Sequence, residues 1–252
     1  GLPKGKPFFV CTSDYKVTTA CPHPRNQAVT TKAIDQLFKR STELFDYFGG
    51  VLASESFYDD DRCIACETLC TVSLQHGLSL LMLSRIGNNI SAASLLRLQF
   101  ESLTRALWVL YVASDTALSK LTGELSVEAL KVAKKLPSVS EMIKALSRAE
   151  GFPPSANAMI KDLQVGLMSE MNSFVHAGIM PFKLQQIGTP EIVTIKNMKH
   201  SNAISTMTAM TLAIINTDKN AAVVIRKMQP KFADCLPPLI WPNSSPEPEV
   251  KT

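Results

Sequence analysis

TVSLQHGLSLLMLSRIGNNISAASLLRLQFESLTRALWVLYVA, residues 71–113, carries only four charged side chains: Arg85, Arg97, Glu101 and Arg105. Apolar residues recur through it at helical spacing, and Gly87-Asn88-Asn89 interrupts it. A helix that is apolar nearly all round belongs at the centre of its domain. The stretch therefore predicts a core hairpin of two long helices. The first runs from the Asp59-Asp60-Asp61 cluster, whose carboxylates suit a helix start, to Ile86; the second runs from Ser91 to Ala113.

Working outward, Ile34, Leu37, Phe38, Leu44, Phe45 and Phe48 set a helical period from Thr31, which Gly49-Gly50 ends. Downstream, Ser126–Leu136 and Ser138–Glu150 read as short amphipathic helices split by Pro137. Another helix is expected over Ser155–Ala177, after the Gly151-Phe152-Pro153-Pro154 break. Phe182–Met198, with Gly188, Pro190 and the β-branched run Ile192-Val193-Thr194-Ile195, reads as a loop or short hairpin. Asn202–Met228 reads as a last long helix. The predicted fold is all-α, a helical bundle around a central hairpin. Residues 1–30 read as an extended arm, 31–229 as the bundle domain and 230–252 as a proline-rich tail.

Composition narrows the function classes. The chain has 252 residues, 46% hydrophobic and 19% charged, with a formal charge of +4. So many apolar residues exclude a disordered chain, and the mild charge permits nucleic-acid binding without arguing for it. The N-terminal stretch has only Phe8-Phe9-Val10 as an apolar run, too short for a secretory signal, and no stretch is long enough to span a membrane. Six cysteines are too sparse for a disulfide scaffold. A cytoplasmic protein with no membrane partner is expected. Phosphate-binding, dinucleotide, serine-hydrolase and zincin motifs are missing from the sequence, and no cofactor is expected.

The chemistry-bearing residues fall in two clusters. Arg97, Glu101 and Arg105 lie at i, i+4 and i+8, one stripe of a helix whose other positions are apolar. Glu101 can pair with either arginine, leaving the other guanidinium for a carbonyl, a carboxylate or an anionic ligand. The stripe is thus either a buried ion ladder or a site for a small anion or RNA phosphate. The second cluster is Asn172, Ser173 and His176, where Asn172 and His176 share a helix face. Histidine titrates near neutrality and can act as acid, base or ligand, or simply close a helix end capped by Gly178. His76, beside Gly77 in the first core helix, meets the Arg97/Glu101 stripe if the second core helix is its neighbour. Cys63, Cys66 and Cys70 share one helical face but lack a second pair of ligands, so they read as packing residues, and no metal site is expected.

The run LLRLQFESLTRALW at 95–108, followed 65 residues on by Ser173-Phe174-Val175-His176, resembles bacterial helical families of unknown function. Those are compared in turn with the HEPN superfamily of helical bundles, many of them RNases of toxin–antitoxin and phage-defence systems. The resemblance covers residues 60–180. It implies His176 with Arg97 or Arg105 as catalytic candidates and a homodimer, while the spacing itself adds Glu101 to the catalytic set and His76, Asn172 and Ser173 as ligand-binding candidates. In RNA cleavage the arginine would stabilise charge developing at phosphorus while the histidine moves protons. One departure stands out. HEPN nucleases carry arginine and histidine on one helix, whereas the positions ahead of His176 read Ser169, Glu170 and Met171, so the cation would come from Arg97 or Arg105. The other expectations are a non-enzymatic interaction or dimerisation module and a purely structural ion ladder. Solvent exposure of the cluster separates them.

Overall fold

The computed structural model describes residues 31–52, 60–124, 126, 127, 129, 131 and 135–238. The expected N-terminal arm, the last part of the proline-rich tail and positions 128, 130 and 132–134 of the expected Ser126–Leu136 helix lie outside the described residues. Among those described, every regular element is helical: α1 (Lys32–Val51), α2 (Asp61–Arg85), α3 (Asn89–Tyr111), α4 (Asp115–Thr122), α5 (Val139–Leu146), α6 (Pro154–Val175), α7 (Ile179–Ile187), α8 (Glu191–Ile215) and α9 (Lys219–Met228). A 3₁₀ turn, Gln229–Phe232, follows.

Helix starts follow local chemistry. The Thr31 hydroxyl accepts from the Ile34 amide, the Asp60 carboxylate from the Arg62 amide, and Ser138 and Glu141 close a reciprocal capping box. The α2–α3 hairpin turns at Gly87, whose φ of 78° suits a residue without a side chain. Leu80, Leu81, Leu96, Phe100 and Leu103 of this hairpin are completely or almost completely buried. Arg62, at the start of α2, donates to the Val109 and Ala113 carbonyls at 2.6 Å each and to Asp115 at 2.8 Å. One guanidinium thereby satisfies the carbonyl end of α3 and anchors α4.

α8 packs across the hairpin along a buried polar seam. Gln99 of α3 donates through Nε2 to the Ser201 carbonyl and the Ser205 hydroxyl, both at 3.0 Å, and accepts from the Ser201 hydroxyl at 2.8 Å. Ser73 of α2 donates to the Gln99 carbonyl at 3.0 Å and lies 3.2 Å from the Thr208 hydroxyl. Gly77 lets the helices come this close: a Cβ there would sit 2.6 Å from Gln99 Nε2 and 2.9 Å from Ser205 Oγ.

Two expectations are corrected here. Phe182–Met198 is neither loop nor hairpin, since it holds most of α7 and the first two turns of α8. Pro190 sits at the N-cap of α8, where proline costs no hydrogen bond, and Thr194 and Met198 are buried against the body, so packing overrides the β-branched propensity. The helix expected over Asn202–Met228 is broken at residues 216–218. Thr217 takes a φ of 53°, and the Asp218 carboxylate accepts from the Ala221 amide at 2.9 Å to start α9.

The chain after α9 returns to α1. Arg40 bonds Asp234 at 2.7 Å and the Lys231 carbonyl at 2.8 Å, and its guanidinium stacks 4.7 Å from the Phe232 ring centre. Asn202 of α8 bridges the Ser41 hydroxyl and the Cys235 carbonyl at 2.8 Å each. Phe232, Cys235 and Leu236 are buried, so the start of the proline-rich segment is part of the packed body. Among the described residues no helix is long and apolar enough to cross a membrane.

Candidate functional site

α3 and α6 run side by side, and the two predicted polar clusters meet between them. Arg97 points its Nε at the Glu101 carboxylate one turn along α3 and its Nη1 at the Asn172 Oδ1 on α6. The same Nη1 lies 3.3 Å from the Met168 sulfur. Met168, Asn172 and His176 are themselves spaced i, i+4, i+8 on α6, and the first two of them meet Arg97 of α3. Sequence reading missed Met168, although that spacing was there to find.

Burial grades along this contact. The Arg97 and Glu101 side chains are 16% and 28% exposed, whereas Asn172 and His176 lie in solvent. An i,i+4 ion pair on an open helix face contributes only about 0.3–0.5 kcal/mol. Here the pair is largely buried, and Arg97 also bonds the solvent-exposed Asn172 on a second helix. It therefore clamps α3 to α6 while leaving a polar edge that solvent reaches.

His176 closes α6, its amide bonding the Asn172 carbonyl at 3.1 Å. Gly178 is not the left-handed residue of this cap. Ala177 is, with φ 50°, and the Gly178 amide reaches back to the Ser173 carbonyl at 2.7 Å. Gly178 is needed for space instead, since a Cβ there would lie 2.7 Å from Ser173 Oγ. The Ser173 hydroxyl accepts from the Met180 amide at 2.9 Å, capping the first turn of α7.

The remaining candidates lie apart from this contact. Arg97, not Arg105, takes Glu101, and Arg105 Nε is buried without a hydrogen-bond partner among the described residues. His76 is half-buried on α2, and no hydrogen bond or ion pair joins it to Arg97 or Glu101 among the described residues. Gly77 does admit α3 closely, but the side chain it admits is Gln99. Cys66 and Cys70 are fully buried in the core; the contact with the Cys66 thiol and then burial push Cys70 upward, and burial pushes Cys63 up to about 11. The three side chains pack as small apolar groups. Among the described residues no three histidine, cysteine or acidic side chains come together as a metal site.

Burial also holds His76 and His200 below the ordinary histidine value, the latter despite its Nδ1 contact with the Lys196 carbonyl at 2.8 Å and the nearby Asp162 and Glu170. Sequence reading did not single out His200. A lowered folded-state value means that the unfolded chain takes up protons first as pH falls. The stability from the neutral rings is thus complete above the unfolded value of about 6.5 and is lost as pH falls towards the folded values. The melting temperature is expected to fall as pH drops below about 6.5. His76→Gln with His200→Gln should flatten that fall. A slope unchanged in the double variant would contradict the assignment.

The fold and the contact between α3 and α6 define an all-α bundle with a polar, partly solvent-open cluster between two of its helices. The chain belongs to a family of unknown function, DUF6988, whose sequence model matches residues 70–238. That stretch contains Arg97, Glu101, Arg105, Asn172, Ser173 and His176 together with His76, and it leaves out α1. No curated protein and no solved structure matches the chain.

Proposed function

We propose that the polar edge formed by Arg97, Glu101 and Asn172, with His176 one turn further along α6, binds a phosphate-bearing anion, and that RNA is the ligand. The observation that carries this reading is the joining of Arg97 to Asn172 across two helices at a place where Asn172 and His176 are open to solvent. Two arginines stand against one carboxylate along the α3 stripe, so the stripe carries one excess positive charge. A phosphate oxygen entering at Asn172 would meet the Arg97 guanidinium, whose Nη2 has no partner among the described residues. His176 at the open helix end would move the proton, and Arg97 would stabilise the charge developing at phosphorus. The resemblance of 95–108 and 173–176 to bacterial helical families that are compared with the HEPN superfamily supports the same assignment.

The test is cleavage and retention of a labelled RNA pool by the purified chain, with excess inorganic phosphate as competitor. His176→Ala should slow cleavage at least about tenfold while the variant stays folded. Arg97→Ala should weaken RNA retention by a similar factor. Suppression by phosphate alone would mark a site for small anions rather than for RNA. No binding and no cleavage by the wild-type chain, with both variants folded, would sink the reading.

A second reading has its own observation. Ile179, Phe182 and Ile187 of α7 are 62%, 56% and 76% exposed. Such a face favours a non-enzymatic module that associates with a second copy, with Arg97 and Glu101 as a structural clamp. A homodimer in solution that Phe182→Asp converts to monomer, with no RNA bound, would support it.

A further inference from the structure

Alone among the described helices, α7 contributes no side chain to the main core. Of its nine residues only Leu184 is buried, and Leu184 packs with Ala93 and Phe174 in a small cluster separate from the main core, flanked by Ile90 and Met180. Both ends turn through the left-handed region, at Ala177 with φ 50° and at Gly188 with φ 85°. Alanine in that region is strained, since its Cβ crowds the backbone. The Ser173–Met180 bond ties the first turn of α7 to the same turn of α6 that carries Asn172 and His176. Elements held by few buried side chains open at lower free energy than the core they adjoin.

We propose that α7 is a hinged flap beside the polar edge. It opens as a unit about Ala177 and Gly188 while α2, α3 and α8 stay closed. Opening breaks the Ser173–Met180 bond and frees the turn carrying Asn172 and His176. The proposal rests on the anion-binding reading only for the use of the freed turn; the motion stands on the packing.

Hydrogen exchange of the full chain without ligand tests it, so its failure is separate from any failure of RNA binding. Amides of residues 179–187 should exchange about a hundredfold or more faster than buried amides of α3 and α8. Leu184→Ala should speed exchange of 179–187, and of 172–178 with it, by about tenfold or more and leave α2, α3 and α8 unchanged. Ala177→Gly relieves the strained hinge and should slow the same amides severalfold. Exchange of α7 in step with α3 and α8 would overturn the proposal. Acceleration of all helices together by Leu184→Ala would overturn it too, and so would acceleration of 179–187 alone.

Discussion

Gly77→Ala is expected to lower the melting temperature by roughly 4–8 °C, a net loss of about 2 kcal/mol in a domain of this size. Helix propensity alone gives the opposite sign, because alanine is favoured over glycine inside a helix by about 1 kcal/mol. The added Cβ meets Gln99 Nε2 at 2.6 Å and Ser205 Oγ at 2.9 Å. Gln99 cannot yield freely, since that same Nε2 is bonded to the Ser201 carbonyl and the Ser205 hydroxyl. Moving it costs about 1–3 kcal/mol of overpacking and leaves buried polar groups unsatisfied at about 1–3 kcal/mol each. Gly166, exposed on α6 with nothing within 4 Å of its Cβ position, supplies the control. Gly166→Ala should stabilise by about 0.5–1 kcal/mol. Thermal melts of both variants decide it, and a Gly77→Ala variant at or above the wild-type temperature would refute the close-packing argument.

Periodicity and punctuation made the hairpin readable. Sparse charge between residues 71 and 113 marks elements that must be central, and Gly87-Asn88-Asn89 is turn chemistry that a folded chain uses as it stands. α8 was harder. Its β-branched Ile192 to Ile195 argue locally against helix, and only burial of Thr194 and Met198 in the assembled body decides otherwise. The break before α9 was readable from Asp218, whose side chain caps three residues on, but the apolar residues on both sides disguised it.

The candidate site was half legible. Spacing alone put Arg97 with Glu101 and Asn172 with His176, because each pair sits one turn apart on one helix. Spacing says nothing about which helices become neighbours, so the Arg97–Asn172 contact could not be read from it. The same gap explains His76. Gly77 announces a close helix contact, but the helix that fills it offers Gln99, two positions from Arg97, and half a helical turn separates their directions. Ser173 shows a further gap. Its role as the cap of α7 depends on Ala177 taking a left-handed turn, a position where glycine would have been expected.

Gln99→Ala is expected to cost more than Gly77→Ala, roughly 3 kcal/mol or 6–12 °C. The side chain is completely buried and makes three hydrogen bonds to α8, while its backbone carbonyl accepts from Ser73 of α2. Truncation removes those bonds and opens a cavity where three helices meet. Gln99→Met separates the two contributions by filling the space without polar atoms. The stranded Ser201 and Ser205 hydroxyls can then turn to carbonyls four residues back, as Thr206, Thr208 and Thr211 already do at 2.8–2.9 Å. The methionine variant should therefore lose about half as much as the alanine variant. Equal losses would mean that the hydrogen bonds, not the packing, hold α8 to the hairpin. A methionine variant as stable as wild type would mean that Gln99 fixes the register of α8 without strengthening it. Because Gly77 and Gln99 touch, the Gly77→Ala/Gln99→Ala chain should lose less than the sum of its parts, since both substitutions remove the same bonds.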